Sequence, residues 1–163
     1  VLYCLSIGVM EETIFRGNVL PLFMFKFSKD KKGTICAVVV SSAIFGAMHL
    51  LNLLGGFSPM VFLQVGYSFL IGCMCAAAML FSGNIIVPII IHALFDIGGF
   101  LTDYGFLKGT LWTTGNIVLT AVVSVIMATL IVVSFLKTDF SPAYERLNLN
   151  DTLKPESDVS NNA

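Results

Sequence analysis

Between positions 33 and 95 the chain contains no Asp, Glu, Lys or Arg, a run of 63 residues. A soluble domain cannot present that much sequence without a charged surface. The run is also too long to be one buried core element. It therefore has to be divided into several segments whose solvent is lipid, and the mean hydropathy of +0.90 with 56% hydrophobic residues agrees. Transmembrane β-strands are excluded as well, because they alternate in polarity over segments of about ten residues, and no such alternation is present. The formal net charge of −1 leaves no basic field for nucleic acid.

Apolar runs at 1–27, 34–54, 60–81, 85–101 and 111–136 each approach the ~20 residues that cross a ~30 Å hydrocarbon core. The expected fold is all-α, a polytopic membrane helix bundle of about five transmembrane helices. Turn chemistry separates the runs: Lys29, Asp30 and Gly33 in the first gap, Gly55-Gly56-Phe57-Ser58-Pro59 in the second, Ser82-Gly83-Asn84 in the third and 102–110 in the fourth. Asn84 or Ser82 can cap the fourth helix, and Pro88 fits its early turns. Lys26, Lys29, Lys31 and Lys32 put the first loop on the cytoplasmic side of the cell membrane, and the C-terminal tail, four helices later, falls on the same side.

Residues 1–136 are thus expected to form a membrane-embedded domain, N-terminally incomplete because the chain opens without Met inside an apolar run. From Thr138 the composition turns to Ser, Pro, Asn, Asp and Glu, so 137–163 is expected to be a disordered cytoplasmic tail. Cys4, Cys36, Cys73 and Cys75 lie in apolar runs without a CxxC or Cys/His pattern and read as packing residues. The first residues lack the plan of a signal peptide.

Against this background three polar groups stand out. Glu11, Glu12 and Arg16 interrupt the first run. On a helix Glu12 and Arg16 form an i,i+4 ion pair, while Glu11 points about 100° away. A carboxylate without a cation in low dielectric is suited to taking a proton from water. The second group is Phe45-Gly46-Ala47-Met48-His49, where Ser42 and Phe45 share the His49 face and Gly46 lets a neighbouring backbone approach. The third is His92 and Asp96, an i,i+4 pair in the fourth helix that can act in acid/base chemistry or hold a metal. Each group alone also has a structural reading as hydrogen-bonded helix glue. Together they place two Glu, one Arg, two His and one Asp on three helices, and a bundle that turns those faces inward gathers them in one polar cavity.

Depth raises a difficulty. Glu12 lies about 21 Å along a straight helix from Lys26, and His92 only about 12 Å from the Asn84 end. A bend or break in the first segment near Gly17 or Pro21 would relieve the mismatch.

In this order and spacing, Glu11-Glu12-x-x-x-Arg16 followed by Gly17, Phe45-x-x-x-His49 and His92-x-x-x-Asp96 resemble the three motifs of the CAAX protease and bacteriocin-processing family of intramembrane proteases. The resemblance covers roughly 5–99. It implies peptide-bond hydrolysis in a membrane-embedded cavity, on prenylated CAAX proteins or on bacteriocin and other peptide substrates. It also implies that Glu11 with His49 activates water, that Glu12 and Arg16 support them, and that His92 and Asp96 stand at the developing oxyanion. An ionised Asp cannot donate to an oxyanion, so Asp96 must be protonated, orient His92 or bind a metal. Glu11, His49, His92 and Asp96 would make an N/O ligand set for one divalent ion such as zinc; Glu-activated water is the preferred reading, and the sequence leaves the metal open. The implied partners are a peptide or lipidated protein substrate and the lipid bilayer. The alternatives are a non-catalytic bacteriocin self-immunity or scaffold protein on the same fold, and a proton-coupled transporter.

Overall fold

A computed structural model describes residues 1–27, 30–104, 114–147 and 149. Every regular element among them is helical. In chain order they are α1 (Leu2–Ile14), a π-helical segment (Phe15–Val19), α2 (Leu20–Lys26), α3 (Lys31–Met48), a 3-10 segment (His49–Gly55), α4 (Met60–Ser82), α5 (Ile86–Tyr104), α6 (Thr114–Lys137) and α7 (Ser141–Arg146). By length and composition Lys31–Gly55, Met60–Ser82 and Thr120–Lys137 can each cross a membrane, and Ile86–Gly99 is a shorter apolar stretch. The expected all-α membrane bundle is therefore what forms.

The helix limits follow from local chemistry. Asp30 caps α3 by accepting from the Gly33 N–H at 2.8 Å, so this helix starts before the apolar run at 34. Asn84 Oδ1 accepts from the Ile86 N–H at 2.9 Å and opens α5, as its side chain allows. Gly83 ends α4 in the left-handed region, with φ +64°. The first segment is interrupted where the depth argument requires. The interruption takes the form of π-turns over Phe15–Val19, while Pro21 sits harmlessly in the first turn of α2. The loop expected at 102–110 is helical as far as Tyr104, and 105–113 lies outside the described residues.

Antiparallel packing of α1 on α5, α3 on α4 and α4 on α5 gives the bundle two different ends. At the end carrying Lys26 and Lys31, the core is a continuous apolar layer that includes Leu20, Met24, Val38, Leu80, Phe135, Phe140 and Tyr144. Two of these correct the expectation of a disordered tail from 137 onward. Lys137 still belongs to α6, and α7 is folded onto the bundle, with Phe140, Ala143 and Tyr144 buried. Aromatic anchors one helical turn apart provide apolar area that the average composition of the tail conceals. Thr34 Oγ1 and Tyr144 Oη are hydrogen-bonded at 3.1 Å, and Arg146 donates to the Phe81 carbonyl at 2.8 Å, which ties α7 to α3 and α4. Lys31 Nζ donates to the Leu136 carbonyl at 2.5 Å at the same end. Residues 150–163 lie outside the described residues.

Candidate active site

Toward the other end, the helices turn polar and aromatic stripes onto a cavity of about 520 Å³. α1 contributes Tyr3, Ile7 and Glu11; the α3 unit contributes Phe45, His49 and Asn52. α4 adds Gln64, Tyr67 and Ser68, and α5 adds His92, Phe95 and Asp96. Each set has the three- or four-residue spacing that puts side chains on one helical face. Glu11, His49, His92 and Asp96, which lie up to 85 positions apart (96 − 11) in the sequence, thus share one cavity.

Glu12 and Arg16 lie behind the cavity wall, at 0% and 2% exposure. Arg16 Nη1 donates to Glu12 Oε1 at 3.0 Å, the i,i+4 pair expected from the spacing. Its second nitrogen donates to the Gly72 carbonyl at 2.8 Å, fastening the first segment to α4. Gly72 is required there, because a Cβ would meet Arg16 Nη2 at 3.2 Å and Ser42 Cβ at 3.0 Å. The guanidinium also stacks over the Phe45 ring at 4.8 Å, a cation–π contact strengthened by burial.

The spacing alone did not reveal a second partner of Glu12. Its Oε1 also accepts from His92 Nδ1 at 2.6 Å, across the α1–α5 interface. A carboxylate held by arginine only accepts, so Nδ1 carries the proton and Nε2 faces the cavity. That nitrogen lies between Glu11 Oε2 at 3.6 Å and Asp96 Oδ2 at 3.7 Å. Both distances exceed a direct hydrogen bond and suit a bridging water or substrate atom. His49 is oriented similarly: its Nδ1 donates to the Phe45 carbonyl at 3.2 Å, leaving Nε2 as the nitrogen available for other work. Phe45 meets both imidazoles edge-on, at 5.3 Å for His49 and 5.7 Å for His92.

Among the described residues no three His, Cys, Asp or Glu side chains converge in a way that could hold a metal ion. His92 donates Nδ1–H to Glu12, which leaves Nε2 as its cavity-facing nitrogen.

Sequence reasoning overlooked the α4 wall of the cavity and Asn52, whose amide donates to Gln64 Oε1 at 2.9 Å. Gln64-x-x-Tyr67-Ser68 was a readable signal, a polar stripe at helical spacing in a helix without charge. Gly72 acts through its carbonyl, and a backbone acceptor leaves no mark in side-chain chemistry.

A family model described as Type II CAAX prenyl endopeptidase Rce1-like matches residues 1–98, more than half of the chain. The matched region contains all six residues of the polar cluster. No curated protein and no solved structure matches the chain.

Proposed function

The chain belongs to the type II CAAX prenyl endopeptidase Rce1-like family, and on that premise we propose that it is an intramembrane endopeptidase whose water is activated by Glu11 and His49. The observation that carries the reading is the division of the two adjacent glutamates. Glu12 is buried in an ion pair, while Glu11 lines the cavity with both histidines and Asp96. A structural lock needs only the first of these carboxylates, and the second is left in a cavity large enough for a peptide segment and water.

In the proposed reaction, Glu11 takes a proton from a water in the cavity, with His49 Nε2 as the second acceptor. The water oxygen adds to the peptide carbonyl carbon, and the carbonyl π-electrons move onto oxygen. His92, held by Glu12 and Arg16, presents Nε2 to that oxyanion and as imidazolium donates to it, an interaction worth several kcal/mol in the transition state. Collapse of the tetrahedral intermediate breaks the C–N bond, and the proton acquired by Glu11 passes to the leaving amine. Asp96, on the cavity side of His92, orients the imidazole. No step is assigned to a metal. The substrate is a polypeptide whose scissile bond reaches membrane depth, prenylated at a CAAX terminus or not.

The test is cleavage of prenylated and unprenylated peptides by the full chain in detergent, with and without chelator. Glu11→Gln is expected to lower kcat/KM by about 10²- to 10⁴-fold, the range for general acid–base catalysis, with an unchanged unfolding temperature. Cleavage is expected to survive the chelator. Full activity in both Glu11→Gln and His49→Ala would remove the proteolytic reading and leave a non-catalytic protein on this fold.

A further inference from the structure

Asn52 and Gln64 line the same cavity as His49 and take no part in the proposed reaction. Both are uncharged amides, set in the run from 33 to 95 that holds no Asp, Glu, Lys or Arg. Their placement follows from the elements that carry them. Asn52 lies three residues beyond His49 in the 3-10 segment, and with three residues per turn the two side chains share one face. An α-helix would rotate them apart by about 60°. Gln64 lies on one face of α4 with Tyr67, Ser68 and Ile71, the residues by which that helix forms the cavity wall.

The two amides meet between the 3-10 segment and α4, where Asn52 Nδ2 donates to Gln64 Oε1 at 2.9 Å. As a lock between helices this contact is weak. Asn52 is exposed and Gln64 half-buried, and water replaces a bond between two such groups when it breaks. What the bond does is fix the atoms it does not use. Asn52 Oδ1 is left as an acceptor and Gln64 Nε2 as a donor. With the bond running the other way, Gln64 Oε1 and Asn52 Nδ2 would remain, so the pair presents one acceptor and one donor in either sense. An ionised carboxylate has nothing to donate to that acceptor, and an ammonium has nothing to offer that donor. An extended polypeptide supplies both from a single residue, whose N–H and C=O point to one side.

A polypeptide drawn into the cavity exchanges water on its backbone for other partners, and peptide groups left without them are costly. Glu11, His92 and Asp96 cannot be those partners without being diverted from the chemistry. Neutral amides satisfy a backbone and leave the charge balance of the site unchanged. At about 2.0 Å rise per residue, Asn52 stands about 6 Å from His49 along the 3-10 axis, and an extended chain covers about 3.3 Å per residue. We propose that the Asn52–Gln64 pair binds the main chain of the substrate, accepting from the N–H and donating to the C=O of a residue about two positions from the scissile bond. The contact is indifferent to side chains, so it sets the register of cleavage. It rests on the proteolytic reading above.

The test uses the full chain in detergent and a cleaved peptide in which each backbone amide outside the scissile bond is replaced in turn by an ester, which removes one N–H. Asn52→Ala and Gln64→Leu are each expected to lower kcat/KM about 3- to 10-fold, the worth of one hydrogen bond. The loss should fall chiefly on KM, as for an interaction present in ground and transition states alike. One ester, about two residues from the scissile bond, is expected to cost the parent a similar factor and to cost Asn52→Ala nothing further. The exchanged pair, Asn52→Gln with Gln64→Asn, keeps both amides and is expected to restore the parent's KM. Equal losses from every ester in the parent and in Asn52→Ala would overturn the proposal and leave the pair as a contact between helices. Binding of the prenylated and unprenylated peptides of the cleavage assay, fluorescein-labelled, to Glu11→Gln separates this proposal from the chemistry. If no peptide is cleaved, yet labelled peptide binds and adding Asn52→Ala weakens it, the main-chain contact holds and only the proteolytic reading fails. Cleavage whose KM neither variant alters would overturn the contact and leave the chemistry intact.

Discussion

At Glu12 a single carboxylate oxygen receives Arg16 from its own helix and His92 from α5, at 3.0 and 2.6 Å, without exposure to solvent. Removing that carboxylate strands the guanidinium in the core and releases the imidazole. Glu12→Ala is therefore expected to destabilise the folded protein by about 3–5 kcal/mol, the loss found when one member of a buried ion pair is deleted. It is also expected to reduce hydrolysis because His92 loses its orientation, whereas Glu11→Gln should lower hydrolysis by about 10²- to 10⁴-fold, as given above, without this drop in stability. Thermal unfolding in detergent beside peptide cleavage separates the two variants, and equal stability of Glu12→Ala and the parent would contradict the buried pair. How much of this was legible in the sequence depends on the range of each contact. The pairing of Glu12 with Arg16 follows from four-residue spacing, since helix geometry fixes it. The 2.6 Å contact with His92, 80 positions away, depends on how α1 packs against α5, which no local pattern encodes.

Among the elements, α3 and α4 form the wall that positions His49. A Cβ built on Gly46 would stand 2.9 Å from the Val65 carbonyl and 3.2 Å from the Phe69 amide, so backbone meets backbone and neither can rotate away. Gly46→Ala is expected to force the helices apart and cost about 1–3 kcal/mol, the usual penalty of overpacking. His49 lies three residues further on, at the point where the α-helix tightens into 3-10 turns, and the displacement carries it out of register with Glu11. Peptide cleavage should therefore fall along with stability. Gly55→Ala, with nothing within 4 Å, provides the control that leaves both unchanged. The small residue beside His49 was readable in advance, and so was an interruption near Gly17. The form of that interruption was not. A π-turn and a proline break serve the same depth requirement, and the choice between them depends on whether the freed carbonyls find donors. Here the Asn18 amide donates to the Thr13 carbonyl at 2.8 Å, within the turn itself.

For the whole molecule the decisive property among the described residues is the contrast between a buried apolar layer at the lysine end and a polar cavity toward the other. That layer includes residues that composition assigns to a polar tail. Phe140 packs its ring against Phe135 at 5.4 Å and Phe81 at 6.2 Å, and Tyr144 reaches Thr34. The tail's Ser, Asp and Asn content masks these two aromatic anchors, because a compositional average cannot register a contact made by two side chains on one turn. If α7 is part of the buried layer, Phe140→Ala should destabilise the protein by about 3–5 kcal/mol, as for other buried aromatic truncations. Tyr144→Phe removes only the hydrogen bond to Thr34 and should cost about 1 kcal/mol. The ordering of the two losses, read from unfolding in detergent, tests the packing directly. Were both variants as stable as the parent, α7 would be an appendage, and its buried aromatic contacts with α3, α4 and α6 would carry no stability.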